Sequence, residues 1–243
     1  MCFRCGGHGG VRTIAALLGI TQADAREVIK AYGGTSYHAM LPQNRDYRFG
    51  KHVELPPNGS VDKLGRNYLE ARDFDPDKLI KLHDLRQTMP TGKYNYRLLI
   101  PVKYHGYNVS YTARSIINHD TRYMSCTASD ECVPIKDVLY FIDEVPGRNR
   151  VVVMEGCFHV FRFGPGSVAT FGTAVTPAQL KLLTAFKRVV LFQDLDDAGE
   201  AAWQKVASRL RFAGSRLDVI KPDSAADAAD IPQVEADYLM RTL

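Results

Sequence analysis

No stretch of this 243-residue chain stays apolar and uncharged for the ~18 residues that a bilayer-spanning helix needs, so a helical membrane protein is not expected. The opening Met1-Cys2-Phe3-Arg4-Cys5 has no apolar stretch ahead of a small-residue cleavage site, and no secretory signal is read there. Cysteine is scarce and odd in number. Cys2, Cys5, Cys126, Cys132 and Cys157 cannot all pair, which argues against a disulfide framework and for a reducing cytoplasm. No Gly-x-x-x-x-Gly-Lys-Ser/Thr loop occurs, which excludes ATP hydrolysis by that route. Internal repeats are missing, and low complexity is confined to the Ala/Asp stretch 224–230. The remainder, 45% hydrophobic and 24% charged, is ordinary globular composition, enough for one large domain or two small ones.

Acidic residues are also scarce in one window. Between 91 and 125, Lys93, Arg97, Lys103, Arg114 and Arg122 face Asp120 alone, among Tyr94, Tyr96, Tyr104, Tyr107, Tyr111 and Tyr123. Cations for phosphates and flat rings for bases suit a single-strand groove. The same composition suits a tyrosine-rich sheet with a solvated basic face. The positive excess lies in the first 150 residues, with 21 Lys/Arg against 16 Asp/Glu; residues 151–243 hold 10 against 11.

Local patterns predict a helix from Ala15 to about Tyr32 with a start at Thr21, and a loop or edge strands over 41–60. Two short helices follow at Val61–Ala71 and Pro76–Leu85, with Asp75 as N-cap and Pro76 in the first helical position. A hairpin is predicted from Tyr96–Val102 and Val109–Ile117. After Pro146-Gly147-Arg148-Asn149-Arg150 the pattern becomes strand–helix alternation. Strands are expected at Val151–Glu155, Ala169–Phe171, Arg188–Gln193 and Leu217–Ile220, with helices at Phe158–Phe163, Thr176–Thr184 and Gly199–Arg211. Such alternation predicts a parallel α/β sheet with crossover helices.

Carboxylates stand where that sheet would gather them. Glu155 ends one strand, Asp194 and Asp196 another, and Asp227 and Asp230 follow a third. Ligands of open α/β sheets bind outside the carboxyl ends of the strands. Clustered carboxylates repel each other. Mg²⁺ or Mn²⁺ relieves that repulsion through oxygen ligands and can activate an attacking hydroxyl.

Val151-Val152-Val153-Met154-Glu155-Gly156, Phe171-Gly172-Thr173-Ala174 and Asp194-Leu195-Asp196-Asp197-Ala198-Gly199 together resemble the topoisomerase–primase (Toprim) domain, in the form found in bacterial and phage primases of the DnaG type. Asp227-Ala228-Ala229-Asp230 is similar to the late acidic motif. Upstream, Arg97-Leu98-Leu99-Ile100-Pro101-Val102 and the order Arg114, Arg122, Lys136 resemble the basic subdomain of the primase core, and Asn67-Tyr68-Leu69-Glu70-Ala71-Arg72 its helical entry segment. The resemblance covers roughly 60–235. It implies a Toprim-like parallel sheet flanked by helices (149–243), preceded by a helical and basic α+β subdomain (21–148).

Two departures stand out. The pattern Glu-Gly-x-x-Asp reads Glu155-Gly156-Cys157-Phe158-His159 here, which lowers the negative charge of the site unless His159 itself ligates metal. Residues 1–20 resemble half a zinc ribbon: Cys2, Cys5 and His8 supply at most three of the four ligands that structural Zn²⁺ needs, so zinc is not expected in this chain.

The resemblance implies a DNA primase making RNA primers from ribonucleoside triphosphates on single-stranded DNA. Glu155, Asp194, Asp196 and Asp227 or Asp230 would hold the metal, and Arg114, Arg122 and Lys136 would grip the triphosphate or template. A Toprim nuclease is the second reading, and a catalytically reduced single-strand-binding accessory protein the third. Because the chain ends at Leu243, soon after the last acid, a separate replicative helicase is expected as partner, in a phage replication system.

Overall fold

Short helices begin where the sequence supplies a capping oxygen. In the computed structural model the Asp62 carboxylate accepts from the N–H groups of Leu64 and Gly65 and opens α1 (Lys63–Glu70). Asp75 does the same for Asp77 and Lys78 at α2 (Pro76–His83), with Pro76 in the first turn as predicted. The structure describes residues 11, 14–15, 21–25, 47–192, 197–212, 214–221 and 227–243. Residues 22–25 are helical, and the Thr21 hydroxyl accepts from Asp24 N–H at 3.1 Å, the predicted start. The chain divides into two compact units, Met1–Asn44 and Arg45–Leu243, and both sheets belong to the second. No helix among the described residues is long and apolar enough to cross a membrane.

The first sheet is antiparallel throughout, in the order β1 (Asn58–Gly59), β2 (Arg86–Thr88), β3 (Arg97–Tyr104), β4 (Tyr107–Ser115), β5 (Tyr123–Ser125). The long β3–β4 hairpin turns at His105-Gly106. Both take positive φ, 53° and 80°, as a tight hairpin of this twist requires. Asp143 locks the turn by accepting from both N–H groups, at 3.0 and 2.8 Å. Helix α1 lies close against β2: a Cβ at Gly65 would stand 2.4 Å from Gln87 Oε1 and 2.6 Å from Val61 Cγ1, so a larger residue there must push these side chains aside.

The second sheet is parallel, in the order β7 (Ser167–Ala169), β6 (Arg150–Met154), β8 (Arg188–Phe192), β9 (Arg216–Ile220). Its helices are α3 (Cys157–Phe163), α4 (Pro177–Leu183), α5 (Asp197–Phe212) and α6 (Gln233–Thr242). Alternate strand residues feed two cores. Val151, Val153, Val189 and Leu191 pack with Trp203 and Leu210 on one face; Val152, Met154, Val190 and Phe192 pack with Phe163 and Ile231 on the other. Strand β7 is two residues earlier than predicted, because the carbonyls of Thr170 and Phe171 bond side chains instead of a neighbouring strand.

Every residue of α3 is buried. A helix apolar nearly all round must be enclosed, and this one packs into the core of the antiparallel sheet: Cys157, Phe158, Val160 and Phe161 join Leu98, Ile100, Tyr111 and Ala113 in one cluster. Helix α3 therefore joins the carboxyl end of β6 to the basic sheet.

Candidate active site

The parallel strand order places a switch point beside Glu155. From β6 the chain crosses to β7 on one side, then returns to β8 on the other. Val153 pairs with Leu191, so β6 and β8 end side by side, and Glu155 follows β6 beside the β8 end at Phe192. That crevice is where open α/β sheets bind ligands. Asp194 and Asp196 lie outside the described residues, as do Cys2 and Cys5.

Glu155 is half-buried, and its carbonyl accepts from Gly172 N–H at 2.9 Å. That bond ties it to the 170–174 loop, where Phe171 has φ 59° and Gly172 φ 111°. Lys136 holds this loop in place. Its ammonium donates to the carbonyls of Thr170 (2.8 Å), Phe171 (3.1 Å) and Ala174 (2.9 Å), and burial lowers its pKa from the usual lysine value. All three donors of a lysine are thereby spent. Instead of facing a phosphate, as the basic-subdomain resemblance implies, Lys136 buttresses the loop beside Glu155.

Asp227 opens a 3₁₀ turn (Ala228–Asp230). Its Oδ1 accepts from Ala229 N–H at 2.8 Å and from His159 Nε2 at 2.9 Å. The His159 bond holds its carboxyl down at about 2, against the cost of burial. His159, where the resembling pattern has an acid, therefore binds an acid of the same site. Asp230 is exposed at the end of that turn.

From the antiparallel sheet, Arg114 reaches the same place. Its Nε donates to Tyr68 Oη at 2.9 Å, and its guanidinium lies 4.8 Å from the Tyr123 ring centre and 5.7 Å from that of Phe158. Phe158 adjoins His159 in α3, so that helix touches the expected cation Arg114 through one side chain and the expected acid Asp227 through the next. Arg122 is exposed beside β5.

Other members of the basic window are not surface groups. Arg97 is 1% exposed and donates to the carbonyls of Ala113, Thr121 and Arg122, pinning the β5 edge. Tyr111 is in the core, with Tyr94, Tyr96 and Tyr104 packed against it. Tyr107 and Tyr123 are exposed enough to meet a base. The sheet carries a solvated basic face over a tyrosine-lined core, and only part of the window is available to a strand of nucleic acid.

The fold gives individual contacts to residues that the sequence offered only as parts of a segment or window, Tyr68, Arg72 and Tyr123, and adds Phe158. Arg72 lies over the rings of Tyr68 (5.9 Å) and Phe158 (5.1 Å), and its charge helps depress Asp227. Arg162, 2% exposed, fixes this arrangement from beneath. It donates to the carbonyls of Arg72 (3.0 Å), Asp73 (3.0 Å) and Ala229 (3.1 Å).

Among the described residues no three His, Cys, Asp or Glu side chains gather as a metal set. The oxygen donors at the strand end, Glu155 and beyond it Asp227, are of the type that Mg²⁺ or Mn²⁺ takes, and the side-by-side ends of β6 and β8 suit a shared ion.

Comparison with known proteins agrees with this architecture. Residues 152–231 match the Toprim-like family. A DNA primase of Clostridium acetobutylicum is 30% identical over 143 residues, 54% of this chain; the chain spans 24% of that relative's length. The zinc-binding and RNA polymerase domains of the Aquifex aeolicus primase superpose with a TM-score of 0.64 at 20% identity, covering 99% of this chain and 72% of that one. A DnaG primase catalytic domain bound to single-stranded DNA gives 0.53 at 22% identity, covering 89% and 71%. The chain thus carries a Toprim-like domain, and its fold is that of the DnaG-type primase core.

Proposed function

We propose that the chain is a primase polymerase core, a metal-dependent nucleotidyltransferase that joins ribonucleotides into primers on single-stranded DNA. The observation that carries this reading is that one helix, α3, follows Glu155 and carries both Phe158, which lies against Arg114 of the basic sheet, and His159, which bonds Asp227. A hydrolase needs the acids; a polymerase also needs fixed cations to hold a triphosphate and a template. The solved primase domain with single-stranded DNA supports that template class.

Phosphoryl transfer leaves the protein the tasks of positioning and charge neutralisation. Glu155, with Asp194 and Asp196, would hold Mg²⁺ or Mn²⁺, and the ion would neutralise phosphate oxygens and lower the pKa of the attacking hydroxyl. Lys136 sets the loop that carries Gly172, which in turn bonds the Glu155 carbonyl. Arg114 presents its guanidinium from a frame of three rings, which fixes its direction and keeps its charge. Arg122, exposed at the rim, meets the template backbone.

The His159–Asp227 bond supports a second reading, an accessory protein that binds single strands with reduced catalysis, because it spends an acid of the site on a neighbour. Template-dependent incorporation of labelled ribonucleotides on single-stranded DNA, with Mg²⁺ or Mn²⁺ and beside Glu155→Gln, decides the matter. Primers made by the wild type and lost in the variant are expected. Plasmid cleavage without incorporation would favour the nuclease, and neither activity the accessory protein.

A further inference from the structure

Helix α6 turns an apolar pair to solvent. Val234 and Tyr238 are 78% and 61% exposed, and their i, i+4 spacing puts them on one helix face. Apolar residues scattered singly over a surface need no explanation, whereas apolar surface rimmed by polar residues marks contact sites. A groove adjoins this pair. It measures about 480 Å³ and opens between the α1–α2 junction and the start of α6, with Gln233 in its wall and Phe74, Leu79 and Phe161 in its floor. The Gln233 amide donates to Asp237 at 2.8 Å, which joins the groove to the next turn of α6.

The rim is acidic. Glu70, Asp73 and Asp75 edge the groove and Asp237 stands beside it, all four exposed, against Lys78 in the groove and Arg241 at the far end of α6. Two neighbouring cations are spent. Arg66 pairs with Asp77 at 2.8 Å, and Arg162 is buried against the Phe74 ring with its donors on three carbonyls. The Asp73 carboxylate lies 3.6 Å from Arg162 and still keeps 87% of its side chain in solvent. Such a rim repels phosphates, so neither nucleic acid nor an anionic membrane suits this face. An apolar centre with a charged rim is the anatomy of a protein interface. Burial of the apolar pair supplies affinity, and the rim selects a cationic partner and fixes its register.

We propose that this face docks a partner protein through a segment that combines Lys or Arg with large apolar residues. The apolar side chains cover Val234 and Tyr238, and the cations meet Glu70, Asp73, Asp75 and Asp237. Arg162 packs on Phe74 of the groove floor and bonds the Ala229 carbonyl, which ties the docking groove to the turn that carries Asp227. The inference goes beyond the primase reading and does not depend on it.

The probe is a fluorescein-labelled synthetic peptide of Lys and Leu at helical spacing, read by anisotropy against the full chain. A control peptide of equal charge has every Leu replaced by Ser. The Lys/Leu peptide should bind, and the control should bind about tenfold more weakly. Val234→Ser/Tyr238→Ser changes exposed positions, so it should keep the melting temperature while weakening the peptide about tenfold. Glu70→Gln/Asp73→Asn should weaken it as well and flatten the salt dependence of binding. In the wild type, carbodiimide coupling of the peptide lysines, located by mass spectrometry, should fall on Glu70, Asp73, Asp75 or Asp237. Three results each overturn the proposal: equal binding of peptide and control, equal affinity of wild type and the serine variant, or coupling concentrated on acids outside this face such as Asp120 and Asp218. Self-association in sedimentation velocity that the serine variant abolishes would assign the face to a second copy and overturn it too. Primer synthesis measured alongside keeps the two claims apart. Primers without peptide binding sink the docking face alone; binding without primers leaves the docking face in a protein that is not a primase.

Discussion

Arg162→Met removes a guanidinium and leaves its volume largely filled. Arg162 is 2% exposed, sits 4.3 Å from the Phe74 ring centre, and bonds three carbonyls that belong to two separate segments, Arg72-Asp73 and Ala229. Methionine keeps the contact with Phe74 and abolishes all three bonds. The Asp73 carbonyl lies in an exposed turn and regains water, so it contributes little. Ala229 is 3% exposed and Arg72 is half-buried, so these two acceptors regain less water. An acceptor stranded in this way costs ~1–3 kcal/mol, which puts the total at about 3 kcal/mol. Urea unfolding followed by fluorescence of Trp203, the single tryptophan and 1% exposed, reads the parallel sheet directly. With a slope of ~2 kcal/mol/M, the midpoint should fall by about 1.5 M at unchanged slope. The turn that carries Asp227 and the segment that carries Arg72 both lose their tie. A midpoint shift below about 0.3 M would show that the three carbonyls are satisfied without Arg162, and the reasoning would fail.

Lys136→Met should lower stability by ~2 kcal/mol through its three carbonyls, while leaving the affinity for a triphosphate probe unchanged under folding conditions; a large loss of affinity with normal stability would put its ammonium on phosphate after all. Asp227 titrates near 2 instead of 3.8, so its contribution is present above pH ~4 and is lost as pH falls towards 2. At half exposure that contribution is about 1 kcal/mol, and Asp227→Asn should flatten acid unfolding in that window; an unaltered acid limb would show that the His159 bond adds nothing. Asp194→Asn should weaken Mn²⁺ binding in a titration at unchanged circular dichroism, and an identical isotherm would remove Asp194 from the metal site. Arg114→Ala should reduce the salt slope of single-stranded DNA binding by about one unit; an unchanged slope would place the strand elsewhere.

Much of the architecture is written locally. Asp75-Pro76, Thr176-Pro177 and the Gly106 turn are signals whose physics acts within a few residues, and the helices and hairpin stand where they predict. The apolar strands Val151–Met154 and Val189–Phe192 announced a parallel sheet because both of their faces are buried. Glu155 at a strand end and the acids after it followed from the same pattern. The strands β2 and β5, three residues each, carry no period of their own and exist because β3 and β4 offer them partners.

Charge was the part that sequence could not assign. Arg97, Arg114, Lys136 and Arg162 look alike as cations in a chain, yet Arg97, Lys136 and Arg162 are consumed by backbone carbonyls that become neighbours only after folding. Local sequence determined which segments could be strand, helix or turn, since dihedral preference and burial pattern act over short distances. Tertiary packing decided which cations were spent on backbone carbonyls, because a buried carbonyl takes the nearest donor whatever its place in the chain.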